Sequence, residues 1–218
     1  ILGCGVAGGT VALRLADAGV PVTLVTRAAD PHDSNTLWAQ GGIIYRGKED
    51  ASELLVADIL RAGAGHSSRE AASILAEEGP GLVENILLDR VGVAFDRVPS
   101  GELSLALEGG HSVPRIVHAA DATGQAIDQA LVRALERHPN VTLLTAHTAI
   151  DLLTPAHHSL NRLDIYAPLS CVGAYLFEQT SGLVKRCIAR HTVLATGGLG
   201  QIFLRTTNPL GARGDGVA

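Results

Sequence analysis

Gly3, Gly5 and Gly8 in ILGCGVAGG stand at the G-x-G-x-x-G spacing that brings a backbone against a dinucleotide pyrophosphate. Gly3 permits the tight turn, Gly5 the close approach of backbone to phosphate, and Gly8 the close packing of helix on strand. The helix that follows offers N–H groups and a partial positive charge at its start. In the ordinary pattern an acid about 20 residues on binds a ribose hydroxyl. Here the second strand ends in Thr26-Arg27. Arg27 could contact a phosphate, which keeps an NADP reading open, or it could be a surface charge. A second run, SNTLWAQGGI from Ser34 to Ile43, packs small and polar residues around the only tryptophan. It fits neither an amphipathic helix nor a good strand, and so poses the question of what it holds.

The elements around these residues read as α/β. ILGCG is the tail of a strand, TVALRLADAG a helix stopped at Gly19, and residues 20–26 a β-branched strand, giving β–α–β. Residues 50–63 form a helix with acids early and Arg61 late, which suits the helix dipole. A second helix runs from an N-cap at Ser67 or Ser68 to a stop at Gly79, and a third starts at Pro80. The charges on these helices read as solvated faces. VAFDR reads as a short strand. DATGQAIDQALVRALERHPN is a helix with Ile127, Leu131 and Leu135 on one face, and Asp121 and Thr123 as its capping and turn residues. VTLLTAHTAIDLL is a strand and its continuation. Residues 171–178 and 183–188 form a hairpin with Gly182 at the turn, and HTVLATGG is a buried strand. His157 and His158 are adjacent and would point oppositely on a strand, so no metal site is expected there.

Composition narrows the class. With 46% hydrophobic residues and a mean hydropathy of +0.24, the chain can bury a real core. A net charge of −5 without a basic block argues against a nucleic-acid partner. Cys4, Cys171 and Cys187 are far apart, which argues against a disulfide framework or zinc site and suits a reducing compartment. No apolar run reaches the roughly 18 residues of a membrane span, and no signal peptide is visible. The chain lacks methionine, opens inside a strand and closes at what reads as the start of a helix; the expectation is a piece cut at both ends.

Five segments, GCGVAGG, SNTLWAQGGI, EGGHSVPRIVHAADATG, VLATGGLGQIF and TTNPLGARGDGVA, resemble the L-aspartate oxidase family, within the superfamily of succinate dehydrogenase and fumarate reductase flavoproteins. The resemblance implies a Rossmann-like FAD-binding domain with a parallel sheet, inserted helices and a β-meander. Residues 1–218 would be its N-terminal part, with the capping and C-terminal helical domains outside. It implies FAD contacts from Gly3, Cys4, Gly5, Val6, Ala7 and Gly8, and from Thr26 and Arg27, where the family has Ser or Thr followed by a basic residue. SNTLWAQGGI then wraps the flavin and its pyrophosphate side with Ser34, Asn35, Thr36, Leu37, Trp38, Ala39, Gln40, Gly41 and Gly42. Thr148 and Ala149 meet the adenine side. Ala195, Thr196 and Gly197 of the ATGG segment and Asp215 of GDG complete the set, Asp215 also reading as a helix N-cap. Relatives that bond flavin covalently carry histidine where this chain has Asn35. An amide cannot make that bond, so the FAD is expected to be non-covalent.

The resemblance further implies FAD-dependent oxidation of L-aspartate to iminoaspartate, with oxygen (giving hydrogen peroxide) or fumarate as acceptor. That is the first step of NAD biosynthesis, in the cytoplasm, with a functional link to quinolinate synthase. Glu108 matches a substrate-site residue and would hold the amino group. His111 and Ser112 could reach flavin or substrate, while Arg115 and His118 would tie their loop to the following helix. The family's main catalytic arginine lies beyond Ala218, so no catalysis is expected from these residues alone. A fumarate reductase or succinate dehydrogenase flavoprotein, a non-catalytic flavin-binding module and an NADP domain using Arg27 are the competing readings.

Overall fold

A parallel β–α–β opens the chain. The computed structural model describes residues 1–217. Leu2 bridges both Val25 and Leu194 in parallel. Helix α1 spans Val6–Asp17 and strand β1 Val22–Val25. α1 buries Gly8, Gly9, Ala12, Leu13 and Ala16, which recur at helical spacing. It stops as expected at Gly19: Gly19 N donates to Ala16 O and Val20 N to Leu15 O, both at 3.0 Å, which satisfies the last carbonyls.

The chain divides into two units, residues 1–35 with 131 onward, and residues 36–130. In the first, β1 pairs in parallel with β5, Val141–Leu144, in register Val22 to Val141. Strand β6, His147–Leu152, belongs to a different sheet, and the chain turns between the two at Ala146, φ 53°. β6, β7 (Gly173–Glu178) and β8 (Leu183–Ile188) form the expected antiparallel meander, with Gly182 in the β7–β8 turn. Leu2, Val25, Ala174 and Leu176 share one core of this unit. The HTVLATGG segment is not a buried strand. Among the described residues it makes a single bridge, Leu194 to Leu2, and Leu194 is 49% exposed.

The second unit begins with β2, Ile43–Ile44, followed by α2, Ser52–Ala62, and α3, Arg69–Leu82. Ser68 caps α3 by accepting from Ala71 N. The expected break at Gly79 does not occur. α3 runs through Gly79 and Pro80 and continues as a π-helical stretch, Val83–Arg90. Pro80 has no N–H to give the carbonyl four residues back, Ala76 O. The Ser52 hydroxyl donates to that carbonyl at 3.3 Å, so it stays satisfied without ending the helix. VAFDR is not a strand either; it makes an isolated bridge, Arg97 to Leu103, and Asp96 exchanges backbone bonds with Ser104 and His118. β3 (Leu105–Ala106) and β2 flank β4 (Ile116–Val117), all antiparallel. Val83, Leu87, Val93, Phe95, Val117, Ile127 and Ala130 form the main core here. Helix α4 follows at Thr123–Arg137, and Ile127, Leu131 and Leu135 are all buried. Among the described residues no helix is long and apolar enough to cross a membrane.

Candidate functional site

In the first unit the glycine loop suits a dinucleotide pyrophosphate on two counts. Gly3 has φ +112°, and a Cβ there would stand 2.1 Å from Ala195 O. A Cβ on Gly8 would stand 1.9 Å from Gly3 O. The loop is therefore drawn tight against the ATGG segment, where Ala195 N donates to Leu2 O at 2.8 Å. In addition, α1 has Gly5 as its N-cap, no side-chain cap and no acid in its first turn. Its positive end thus carries no competing carboxylate of its own. Cys4 is buried beneath the loop, and Val6 and Ala7 are exposed on it.

Thr26 is buried at the end of β1. Gln179, which the sequence did not single out, links the next pair of expected contacts. Its Nε2 donates to Arg27 O at 2.8 Å and to Thr148 Oγ1 at 3.1 Å. Thr148 and Ala149 lie on β6 opposite Phe177 and Leu176. Arg27 Nη2 approaches Gly211, with 3.4 Å to a Cβ built there. Asp215 is exposed and pairs with Arg213 at 3.2 Å. Ser34 and Asn35 close the first stretch of this unit.

The second unit holds residues 36–42 of SNTLWAQGGI as irregular turns, in keeping with its pattern, and Ile43 opens β2. Ala39 N donates to Thr36 O at 3.2 Å, and Gly124 N donates to Ala39 O at 2.8 Å. A Cβ on Gly124 would lie 2.0 Å from Thr36 O. The ATG of HAADATG is therefore the seat on which the Thr36–Ala39 turn rests. Leu37 is half-buried, while Trp38 is 62% exposed and Gln40 and Gly41 are exposed. Gly42 N donates to Glu108 Oε1 at 3.3 Å. Within this unit the 36–42 turn and the substrate candidate Glu108 are thus in direct contact.

Behind Glu108 lies a buried ionic cluster. Arg115, whose side chain is 0% exposed, grips Asp50 with Nε and Nη2 at 2.9 and 2.8 Å. Its Nη1 reaches Asp58 Oδ2 at 2.6 Å and His111 Nδ1 at 2.9 Å. Asp58 Oδ2 also accepts from Ser112 N and Oγ, at 2.9 and 2.8 Å. Arg61 donates to Asp58 Oδ1 at 2.7 Å and to Gly110 O at 3.0 Å. Burial alone would raise both carboxyl pKa values. The bonds from Arg115, joined by Ser112 and Arg61 at Asp58 and by backbone N–H groups at Asp50, outweigh it and hold both below the usual carboxylate range. The same acids hold the Arg115 guanidinium above its ordinary value against burial.

Three expectations change here. The charges of α2 are not all solvated, since Asp58 is buried at its centre. Its position three residues after Leu55, on the apolar stripe, was the available signal. Arg115 ties its loop to the preceding α2 and not to the following helix. His118 pairs instead with Asp96, at 3.1 Å. Thr123 is the first residue of α4, and its Oγ1 accepts from Ala119 N at 3.0 Å, holding the turn ahead of the helix. His157 and His158 lie on a short helix, α5, Pro155–His158. Among the described residues no three His, Cys, Asp or Glu side chains converge as metal ligands.

A family model described as FAD binding domain matches residues 1–218. L-aspartate oxidase 1 of Ralstonia nicotianae is 43% identical over 221 residues, covering 100% of this chain and 40% of its own length. The chloroplastic L-aspartate oxidase of Arabidopsis thaliana is 40% identical over 219 residues, covering 100% and 32%. That of Halobacterium salinarum is 39% identical over 226 residues, covering 100% and 41%. The chain thus spans 32 to 41% of the length of these curated relatives. FrdA of E. coli quinol fumarate reductase superposes with a TM-score of 0.85 at 24% identity, over 99% of this chain and 35% of its own. That likeness speaks to the fold alone.

Proposed function

The chain belongs to the FAD binding domain family, and from that premise we propose that it is the N-terminal, flavin-holding part of an L-aspartate oxidase. The reaction is oxidation of L-aspartate to iminoaspartate, with oxygen or fumarate as the final acceptor. The observation that carries this reading is the 43% identity to an L-aspartate oxidase across the whole chain.

When bound, FAD would supply the hydride-acceptor chemistry for oxidation at the substrate α-carbon. The chain's residues supply geometry and charge. The α1 start and the Gly3–Gly8 loop hold the pyrophosphate. Thr26, Arg27, Thr148 and Ala149 line the adenine side, and residues 34–42, with Ala195–Gly197 and Asp215, the remainder. Asn35 offers an amide where a covalent relative needs imidazole, so the FAD is held without a bond. Glu108 keeps one oxygen on Gly42 N and turns the other to the substrate ammonium. That contact separates aspartate from succinate, which has no amine. His111 and Ser112 stand on the same turn as Glu108 and would face the same substrate. The family's remaining catalytic groups, its arginine among them, belong to the part of the curated relatives' length that this chain does not span. The protein works in the cytoplasm, and its unstable imine product feeds quinolinate synthase.

The test is the full-length protein supplied with FAD. Aspartate should yield peroxide under air and imine under nitrogen with fumarate, while succinate is left unoxidised. Succinate oxidation without aspartate turnover would instead make the protein a succinate dehydrogenase or fumarate reductase type. A flavin spectrum without turnover of either would make it a binding module.

A further inference from the structure

We propose that Arg115 is a positioning residue which fixes His111 as an Nε2–H donor, and that this donor meets a carboxylate of the dicarboxylate substrate. The substrate half of the inference rests on the reading above; the donor half rests on geometry alone.

A guanidinium has five N–H groups and no acceptor. At the 2.9 Å contact between Arg115 Nη1 and His111 Nδ1, the ring nitrogen must therefore accept. The ring hydrogen then sits on Nε2, the nitrogen turned away from Arg115. Arg115 cannot rotate to release it. Asp50 holds it at two nitrogens, and Asp58 takes the other hydrogen of Nη1. Two carboxylates stand against Arg115 and Arg61, so the cluster is charge-balanced where it is buried.

The same cluster seizes three consecutive residues: Gly110 through its carbonyl, His111 through its ring, and Ser112 through N–H and hydroxyl. His111 N donates back to Glu108 O at 3.2 Å, closing the turn. One locked turn thus presents a carboxylate at Glu108 and an N–H donor at His111. An amino-dicarboxylate needs that pair: an acceptor for its ammonium and a donor for a carboxylate oxygen. His111 is half-buried.

The test uses full-length, FAD-loaded protein labelled with 15N-histidine. The His111 ring signals, assigned by their loss in His111→Gln, should show hydrogen on Nε2 and none on Nδ1. The opposite tautomer overturns the proposal, whatever the substrate. Binding is read separately, from the shift of the flavin spectrum on titration with L-aspartate and with succinate. His111→Gln keeps an amide N–H near the Nε2 position; His111→Asn does not. His111→Asn should weaken both ligands by roughly 10- to 150-fold, the range of one hydrogen bond to a charged group, and His111→Gln by clearly less. Equal weakening by the two variants overturns the proposal. Because succinate binding is measured without turnover, a failure of the oxidase reading leaves this result separately legible.

Discussion

Asp58 and Arg115 are 57 positions apart in sequence and meet at 2.6 Å, with side chains 2% and 0% exposed. Removing one partner of such a pair strands the other in a medium that cannot solvate it. Asp58→Ala should therefore cost about 3–5 kcal/mol. Lys48→Ala, which breaks an exposed pair with Glu102, should cost less than about 1 kcal/mol. Hydrogen exchange resolved to α2 and residues 108–118 of the full-length protein measures both. Similar losses of protection in the two variants would refute the assignment of the cluster as a structural centre.

The pH dependence has a definite sign. Asp50 and Asp58 both have folded pKa values below those of the unfolded chain. Their stabilisation is fully present above the unfolded value of about 3.9 and is lost as pH falls through the folded values. Protection of α2 should stay flat from neutrality to about pH 5 and decline below about pH 4. In Asp58→Asn the acid decline should be shallower, because one of the two linked protons is gone. A decline that begins near pH 6 would point to a histidine instead.

Gly79 offers a sharp discrimination, because its two possible conformations respond oppositely to alanine. As a left-handed helix stop it would resist a Cβ. As an interior residue of α3 it gains from one, and beyond its chain neighbours and the helix backbone a Cβ there meets nothing closer than Leu75 Cγ at 3.9 Å. Gly79→Ala should stabilise by less than the about 0.5–1 kcal/mol of an ordinary helix interior, because the Pro80 ring crowds a Cβ on the residue before it. Gly3→Ala should destabilise and release FAD, since φ +112° and the 2.1 Å approach to Ala195 O both forbid it. Thermal denaturation and bound-flavin absorbance read the two outcomes.

Gly79 also shows what the sequence could and could not reveal. The β–α–β unit, the Gly19 stop and the β7–β8 hairpin were legible because each is decided by residues within about one turn or hairpin of each other. The run through Pro80 was not, since it depends on Ser52, 24 positions away, satisfying Ala76 O. The Asp50–Asp58–Arg115 cluster escaped for the same reason: a lone acid on an apolar stripe does not name its partner. Gln179 carried no local signal at all. The 36–42 turn was legible as irregular, while its seat on Gly124 required the tertiary contact.

Asn35 fixes how flavin should be held. Its amide lacks the nucleophilic ring nitrogen of histidine, so acid precipitation of the full-length protein should leave a colourless pellet and all flavin in the supernatant. Yellow colour retained in the pellet, or fluorescence in a denaturing gel band, would contradict non-covalent binding.

Glu108 bears on substrate choice, and Gln is the informative replacement. The carboxamide oxygen can still accept from Gly42 N, so the contact between the 36–42 turn and the 108–112 turn survives. What changes is the charge, and the second oxygen becomes an NH2 group that meets ammonium donor to donor. Loss of a charge-assisted bond of about 1.5–3 kcal/mol corresponds to roughly a 10- to 150-fold drop in kcat/KM for L-aspartate. Fumarate has no amine and should be reduced at close to the original rate. Steady-state assays of the full-length Glu108→Gln protein with both substrates separate the cases. A parallel fall with aspartate and fumarate would mean that Glu108 acts through loop geometry alone, and its role as the ammonium partner would be withdrawn.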